Sequence, residues 1–333
     1  MKKRILKILS IVLITIIALV AVLAVRHYFM SKSDRELFAD AYGEYYTTPD
    51  GERINYTFYD SESDKVAVLL PGFGSSSAHY EFDTIAKGLN DAYKIIIVDP
   101  LGVGLSDETD RERSVSNYCE ELHGLMTYLG YDHYTLIGHS IAGLYALDYS
   151  NRYPEEVDAF IGIDASIPHM IEICPKEALP DNMYKSYKSA RHILVDTGLY
   201  RVLTELSYTK TAEMIPTLSE DDKKIYLALN CTDQLNDTQL REIGRLSENI
   251  KLCYDEKFPE SVPVLYLLSN DNNKLMPGWD ELHRKLITNP SGQVIVLEGG
   301  HYLHLENSEG IISEILKWTN SLQTKTTAKT SEP

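Results

Sequence analysis

From residue 53 onward, short apolar runs alternate with longer stretches in which apolar residues recur every three or four positions. The run 53–59 (RINYTFY) alternates as a half-buried strand does. Runs 66–70 (VAVLL), 93–98 (YKIIIV), 134–137 (YTLI), 159–163 (AFIGI), 262–268 (VPVLYLL) and 293–297 (QVIVL) are mostly apolar and rich in Val and Ile. Such runs fit strands buried on both faces of a parallel sheet. Segments 80–90, 114–129, 141–149, 279–287 and 308–322 read as amphipathic helices. Strand alternating with helix predicts an α/β class, with a mostly parallel, doubly wound sheet covered on both faces.

Three stretches depart from this rhythm. Residues 8–25 are an uncharged run of 18, interrupted only by Ser10 and Thr15. As a helix the run spans roughly 27 Å, close to the thickness of a bilayer core. Lys2, Lys3, Arg4 and Lys7 precede it, so the pattern predicts a single-pass membrane anchor over 1–30, with the N-terminus cytoplasmic and the body outside the cytoplasm. A cleaved signal peptide is the alternative, kept open by the small residues Ala21 and Ala24. Between 168 and 259 no strong strand occurs, and Met, Tyr and Leu recur at helical spacing. Because strands resume at 262, this interval is expected to be a helical lid inserted into a core of 31–167 and 260–322. Residues 323–333 (QTKTTAKTSEP) have the composition of a disordered tail.

Charge narrows the function classes. The chain of 333 residues has 32 Lys and Arg against 49 Asp and Glu. Five of the bases lie before residue 27, which leaves 27 bases against 49 acids in the body. So acidic a body repels phosphate backbones, and no nucleic-acid partner is expected. Cys119, Cys174, Cys231 and Cys253 show no close Cys/His spacing, so no structural zinc is expected. No nicotinamide, flavin or phosphate-loop motif occurs, and no cofactor is implied.

The candidate chemistry centres on Gly138-His139-Ser140-Ile141-Ala142-Gly143, directly after the 134–137 strand. A sharp strand-to-helix turn forces its middle residue into a strained conformation and needs small neighbours. The turn lifts Ser140 to the edge of the sheet. With Leu70-Pro71-Gly72-Phe73-Gly74, Asp99-Pro100-Leu101-Gly102-Val103-Gly104-Leu105-Ser106, Tyr153-Pro154-Glu155-Glu156-Val157 and Gly299-Gly300-His301, the chain over about 43–320 resembles the α/β-hydrolase family. Two departures stand out: Ala142 occupies a slot that is usually Gly, and Pro71 one that is usually His.

The resemblance implies Ser140 as nucleophile, His301 as its base, and the backbone N–H groups of Phe73 and Ile141 as oxyanion donors. His304 is the nearest rival to His301. The acid is open between two residues. The family's usual acid slot, after the 262–268 strand, holds Asn272, and Asp271 lies one residue early. Asp164, at the end of the 159–163 strand, is the alternative. His139 is expected to pack beneath the turn and Asp99 to brace the Gly102/Gly104 turn. His79 and Tyr80 read equally as pocket wall or as a helix start. The function expected is a membrane-anchored serine hydrolase that cleaves carboxylic esters, or small amides, with a greasy or aromatic acyl group under the lid. A proline-type aminopeptidase fits less well, because Ile141-Ala142 lacks the Trp usual in that elbow. The irregular acid motivates a second reading, an extracytoplasmic binding or sensing module on a weakened scaffold.

Overall fold

The structure, a computed structural model, describes residues 2–330. It opens with a single long helix, α1 (Lys2–Phe38). By length and composition α1 is able to cross a membrane, and no residue of its apolar run is buried. Its last residue, Phe38, is buried in a small cluster with Tyr80, Leu105 and Leu229.

The chain then lays down β1 (Glu44–Thr47), β2 (Arg53–Tyr59), β3 (Val66–Leu70), α2 (Ala78–Glu81), α3 (Asp83–Leu89), β4 (Lys94–Asp99), α4 (Val115–Leu129), β5 (Tyr134–His139), α5 (Ala142–Arg152) and β6 (Val157–Ile163). The eight-stranded sheet runs β1-β2-β4-β3-β5-β6, then β7 (Val264–Ser269) and β8 (Gln293–Leu297). Strands β3 to β8 are parallel, while β1–β2 and β2–β4 pair antiparallel. This is the α/β class expected. Strands β2, β3 and β8 have the expected limits. The short β1 was not foreseen, because four residues (EYYT) carry too little periodicity to register.

Every residue of β3, β5 and β7 is buried, which explains their unbroken apolar runs. One apolar layer gathers Val68, Leu136, Phe160 and Tyr266 beneath α4 and α5. The opposite layer gathers Leu69, Ile97, Ile137 and Leu267. It is covered by α3 and α13 (Ser308–Thr330), with Ile315 and Trp318 facing in. Thus α13 continues through 323–330, where a tail was expected, and 331–333 lie outside the described residues.

Between β6 and β7 the chain is helical, with α6 (Pro180–Ala190), α7 (Leu199–Glu213), α8 (Glu220–Thr232) and α9 (Asp237–Leu252). After β7 come α10 (Asn270–Leu275) and α11 (Trp279–Leu286), and after β8 comes α12 (Leu303–Glu306).

Candidate active site

The turn after β5 is built by close approach. Ser140 has φ +53, a left-handed conformation that costs a non-glycine residue about 1–3 kcal/mol. Two hydrogen bonds clamp its backbone: its N–H donates to Ile163 O at 3.2 Å, and Ser166 N–H donates to its carbonyl at 2.7 Å. A Cβ on Gly72 would lie 2.5 Å from the His139 ring and 3.0 Å from Ser140 Cβ, so only glycine lets loop 72–76 meet the turn. A Cβ on Gly138 would lie 3.1 Å from Ala142 Cβ. The space left by Gly138 is what accommodates alanine where glycine is usual.

Sheet register brings the next group in. His139 pairs with Ile163, so Ser140 and Asp164 leave neighbouring strands at the same level of the C-terminal edge. His301 comes from the turn after β8. Its Nε2 lies 2.9 Å from Ser140 Oγ and its Nδ1 2.7 Å from Asp164 Oδ2. With Nδ1–H donating to Asp164, Nε2 keeps a lone pair for the serine proton.

The Asp164 carboxylate is fully buried and well supplied with donors. Oδ1 accepts from Ser269 N–H at 3.0 Å and from Trp279 Nε1–H at 3.4 Å. Oδ2 also accepts from Asn272 Nδ2 at 2.5 Å. Asp271 is not brought to His301. It stands in the first turn of α10, its side chain 68% exposed and 3.6 Å from Lys274 Nζ. Successive helical residues point about 100° apart, so the face that turns Asn272 inward turns Asp271 out. Ser269 Oγ accepts from Asn272 N–H at 3.1 Å and caps that helix.

His139 is buried, as expected, and donates from Nε2 to the His301 carbonyl at 2.9 Å, holding that backbone in place. Burial pushes its pKa well below the usual histidine range, with His304 and His301 adding to the shift. His304 is buried too, its ring 4.3 Å from that of His139, and burial takes it down to about 3. Neither of its ring nitrogens has a hydrogen-bond partner among the described residues. The N–H groups of Phe73 and Ile141 find no protein acceptor among the described residues.

Asp99 accepts from Tyr42 OH at 2.6 Å, Ala78 N–H at 2.7 Å and Leu105 N–H at 3.2 Å, tying the start of α2 to the Gly104 turn. Gly104 has φ +54, and a Cβ there would overlap the Asp99 carboxylate. Burial raises Asp99 to about 6. His79 and Tyr80 lie within α2, and neither lines the cavity described next.

A cavity of about 300 Å³ borders loop 72–76, His139 and Tyr302. Tyr200, Tyr226, Asn230, Gln234 and Glu81 complete much of its wall. This wall is more polar than the Tyr, Met and Leu content of the inserted helices suggests. Glu81 is buried and accepts from Ser75 Oγ at 2.8 Å and Ser76 N–H at 3.2 Å. Burial raises its carboxyl to about 7. Glu81, Gln234 and Trp279 were missed from sequence, because nothing local distinguishes them from surface or core residues of the same type.

Residues 66–308, well over half of the chain, match the sequence profile of the alpha/beta hydrolase fold family. The chain is an alpha/beta hydrolase. It is 24% identical over 219 residues to the uncharacterized protein YbdG of Bacillus subtilis, covering 66% of each chain. Over 107 residues it is 35% identical to the proline iminopeptidase of Clostridium botulinum, covering 31% of this hydrolase and 36% of that enzyme. The matched stretches thus span less than two thirds of either relative. Among solved structures, a membrane phospholipase A described as a bacterial virulence factor superposes with TM-score 0.60 at 18% identity. That superposition covers 97% of this hydrolase and 99% of the phospholipase. At such identity it speaks for the fold alone. With hydrolases among its relatives, the chain is an enzyme of the alpha/beta hydrolase type.

Proposed function

We propose that this enzyme is a membrane-anchored serine hydrolase that cleaves carboxylic esters, with small amides as the second class, through an acyl-enzyme on Ser140. The observation that carries this reading is the His301 ring, 2.9 Å from Ser140 Oγ on one side and 2.7 Å from Asp164 on the other. Ser140 Oγ attacks the substrate carbonyl while His301 Nε2 takes its proton. Asp164, held by Ser269, Asn272 and Trp279, fixes the Nδ1–H tautomer and stabilises the imidazolium. The Phe73 and Ile141 N–H groups receive the oxyanion, an interaction worth about 3–4 kcal/mol per donor in serine hydrolases. His301 then protonates the leaving alcohol, and water, deprotonated by the same nitrogen, releases the acid. The binding-module reading rested on an irregular acid position; a buried carboxylate at His301 removes its motive.

The uncleaved anchor is favoured over a signal peptide by the course of α1. The helix continues past the apolar run and ion-pairs with the inserted helices, Arg26 to Glu205 at 2.8 Å and Asp34 to Arg201 at 2.7 Å. By the positive charges before the run, the catalytic body faces outside the cytoplasm. The inserted helices serve as a lid over the cavity.

A fluorophosphonate probe is expected to label the wild type and not Ser140→Ala, and p-nitrophenyl acetate turnover is expected to fall by roughly 10⁶-fold in that variant. A folded wild type that neither labels nor turns over the ester overturns the reading.

A further inference from the structure

The anchor helix is not a loose tether. Gly198, at the start of α7, has φ +74 and sits against α1 so closely that a Cβ would lie 2.6 Å from Leu23 O and 2.7 Å from His27 Cβ. The buried Arg201 guanidinium bonds to Asp34, to Ser31 Oγ at 3.0 Å and to Thr232 Oγ1 at 3.3 Å, locking α1, α7 and α8 together. The apolar run ends at Val25. A bilayer that holds this run therefore has its surface next to the first turn of α7.

At that height lies a cavity of about 610 Å³, within the range of small-molecule sites. Its wall starts at Ala24, inside the apolar run, and passes Tyr28 and Lys32 on α1 to Val195, Asp233 and Gln234 on the inserted segment. Its bilayer end is lined by Ala24, His27, Tyr28 and Ser31, and further out Lys32, Arg35 and Arg191 stand with Glu108, Asp196, Asp233 and Asp237. Gln234 also lines the 300 Å³ cavity at the candidate active site. Its Nε2 donates to Gly74 O at 3.1 Å and to Ser76 Oγ, both in the loop beside Ser140. Gln234 is thus common to the walls of the two cavities.

Resting on the membrane-anchored hydrolase reading above, we propose that the cavity between α1 and the inserted helices is the entrance for substrate drawn from the bilayer, and that this substrate is an amphiphilic ester with an aliphatic chain and a polar head. The end at Ala24 and Tyr28, beside the apolar run of α1, receives the chain from the lipid. The charged groups of both signs hold the polar head at the water boundary. Displacement of Gln234 joins the two cavities and lets the ester reach Ser140. The step itself is hydrolysis: the acyl carbon–oxygen bond breaks, water supplies the new oxygen, and the head leaves as an alcohol.

The test uses the full chain reconstituted in phosphatidylcholine vesicles that carry a fluorogenic fatty-acyl ester lipid, with p-nitrophenyl acetate in the surrounding water as the soluble ester. Ala24→Trp narrows the cavity at its bilayer end. It is expected to lower hydrolysis of the vesicle lipid by about tenfold or more while soluble-ester turnover and fluorophosphonate labelling persist. Retention of both activities overturns the proposal. Should the variant lose both, photo-crosslinking of Ser140→Ala with a diazirine-bearing phosphatidylcholine decides. Adducts on 24–35 and 232–237 are expected, and adducts confined to 8–23 overturn the proposal. An unlabelled wild type, or a mature chain whose mass lacks the N-terminal helix, would instead strike the underlying reading, so the two failures are told apart.

Discussion

Two neighbouring strands, β6 and β7, each end with an aspartate near the same histidine, and only one of them reaches it. Asp164 follows β6 in a left-handed conformation, φ +40, that turns its carboxylate under the His301 ring. It is sealed from water and surrounded by donors from β7, α10 and α11. Asp271 follows β7 but has already entered a helix, where a carboxylate in the first turn favours the helix dipole and stays in solvent. Asn272 occupies the inward face and gives Asp164 a donor. A second carboxylate there would face the first at close range, and like charges that near raise one another's pKa. Rank along the chain thus does not choose which aspartate meets His301; backbone direction and donor supply do.

The sharpest way to break this comparison is to neutralise each aspartate in turn. Asp164→Asn is expected to lower kcat by roughly 10⁴-fold, as for a triad acid, while Asp271→Asn leaves it unchanged. Steady-state kinetics on p-nitrophenyl acetate checks both, and the reverse ranking would end the assignment. Moving the charge is the next test. In the Asp164→Asn background, Asn272→Asp is expected to recover roughly tenfold in kcat, about 1.4 kcal/mol, because position 272 already faces the ring. No recovery would mean that Asp164 acts through more than its charge near Nδ1.

A smaller effect is expected from the donors. Trp279→Phe removes one long hydrogen bond to Asp164 and should cost less than about 1.5 kcal/mol, read as under tenfold in kcat with the same KM. A last test reads stability instead of rate and contrasts Asp164 with a buried carboxyl at neither strand end. Glu81 is raised from 4.5 to about 7 by burial, so the folded state holds its proton more tightly than the unfolded state. Wild type should therefore lose stability relative to Glu81→Gln as pH rises from about 4.5 to about 7, and hold a constant difference above that. Melting temperatures of both proteins at pH 5 and pH 8 check the sign.

The sheet, the tight turn at Ser140 and the histidine proposed as its base were legible in the sequence alone. Each is encoded locally: unbroken Val/Ile runs mark strands buried on both faces, and Gly138, Gly72 and Gly143 mark places where another segment approaches too closely for a Cβ. Glycine pairs also announce the turn that carries His301. Tertiary structure alone set Asp164 rather than Asp271 beside His301, since the two have equally plain neighbours in the chain and differ only in which side of a turn or helix faces that ring. It alone decided that α13 runs on through 323–330, and that Glu81 and Gln234 stand at the cavity. It also decided that α1 is clamped to the inserted helices, through an ion pair between Asp34 and Arg201 that are 167 residues apart. The physical reason is range: periodicity and turn chemistry act over a few residues and can be read in line, whereas burial of a charge depends on which distant segments close around it.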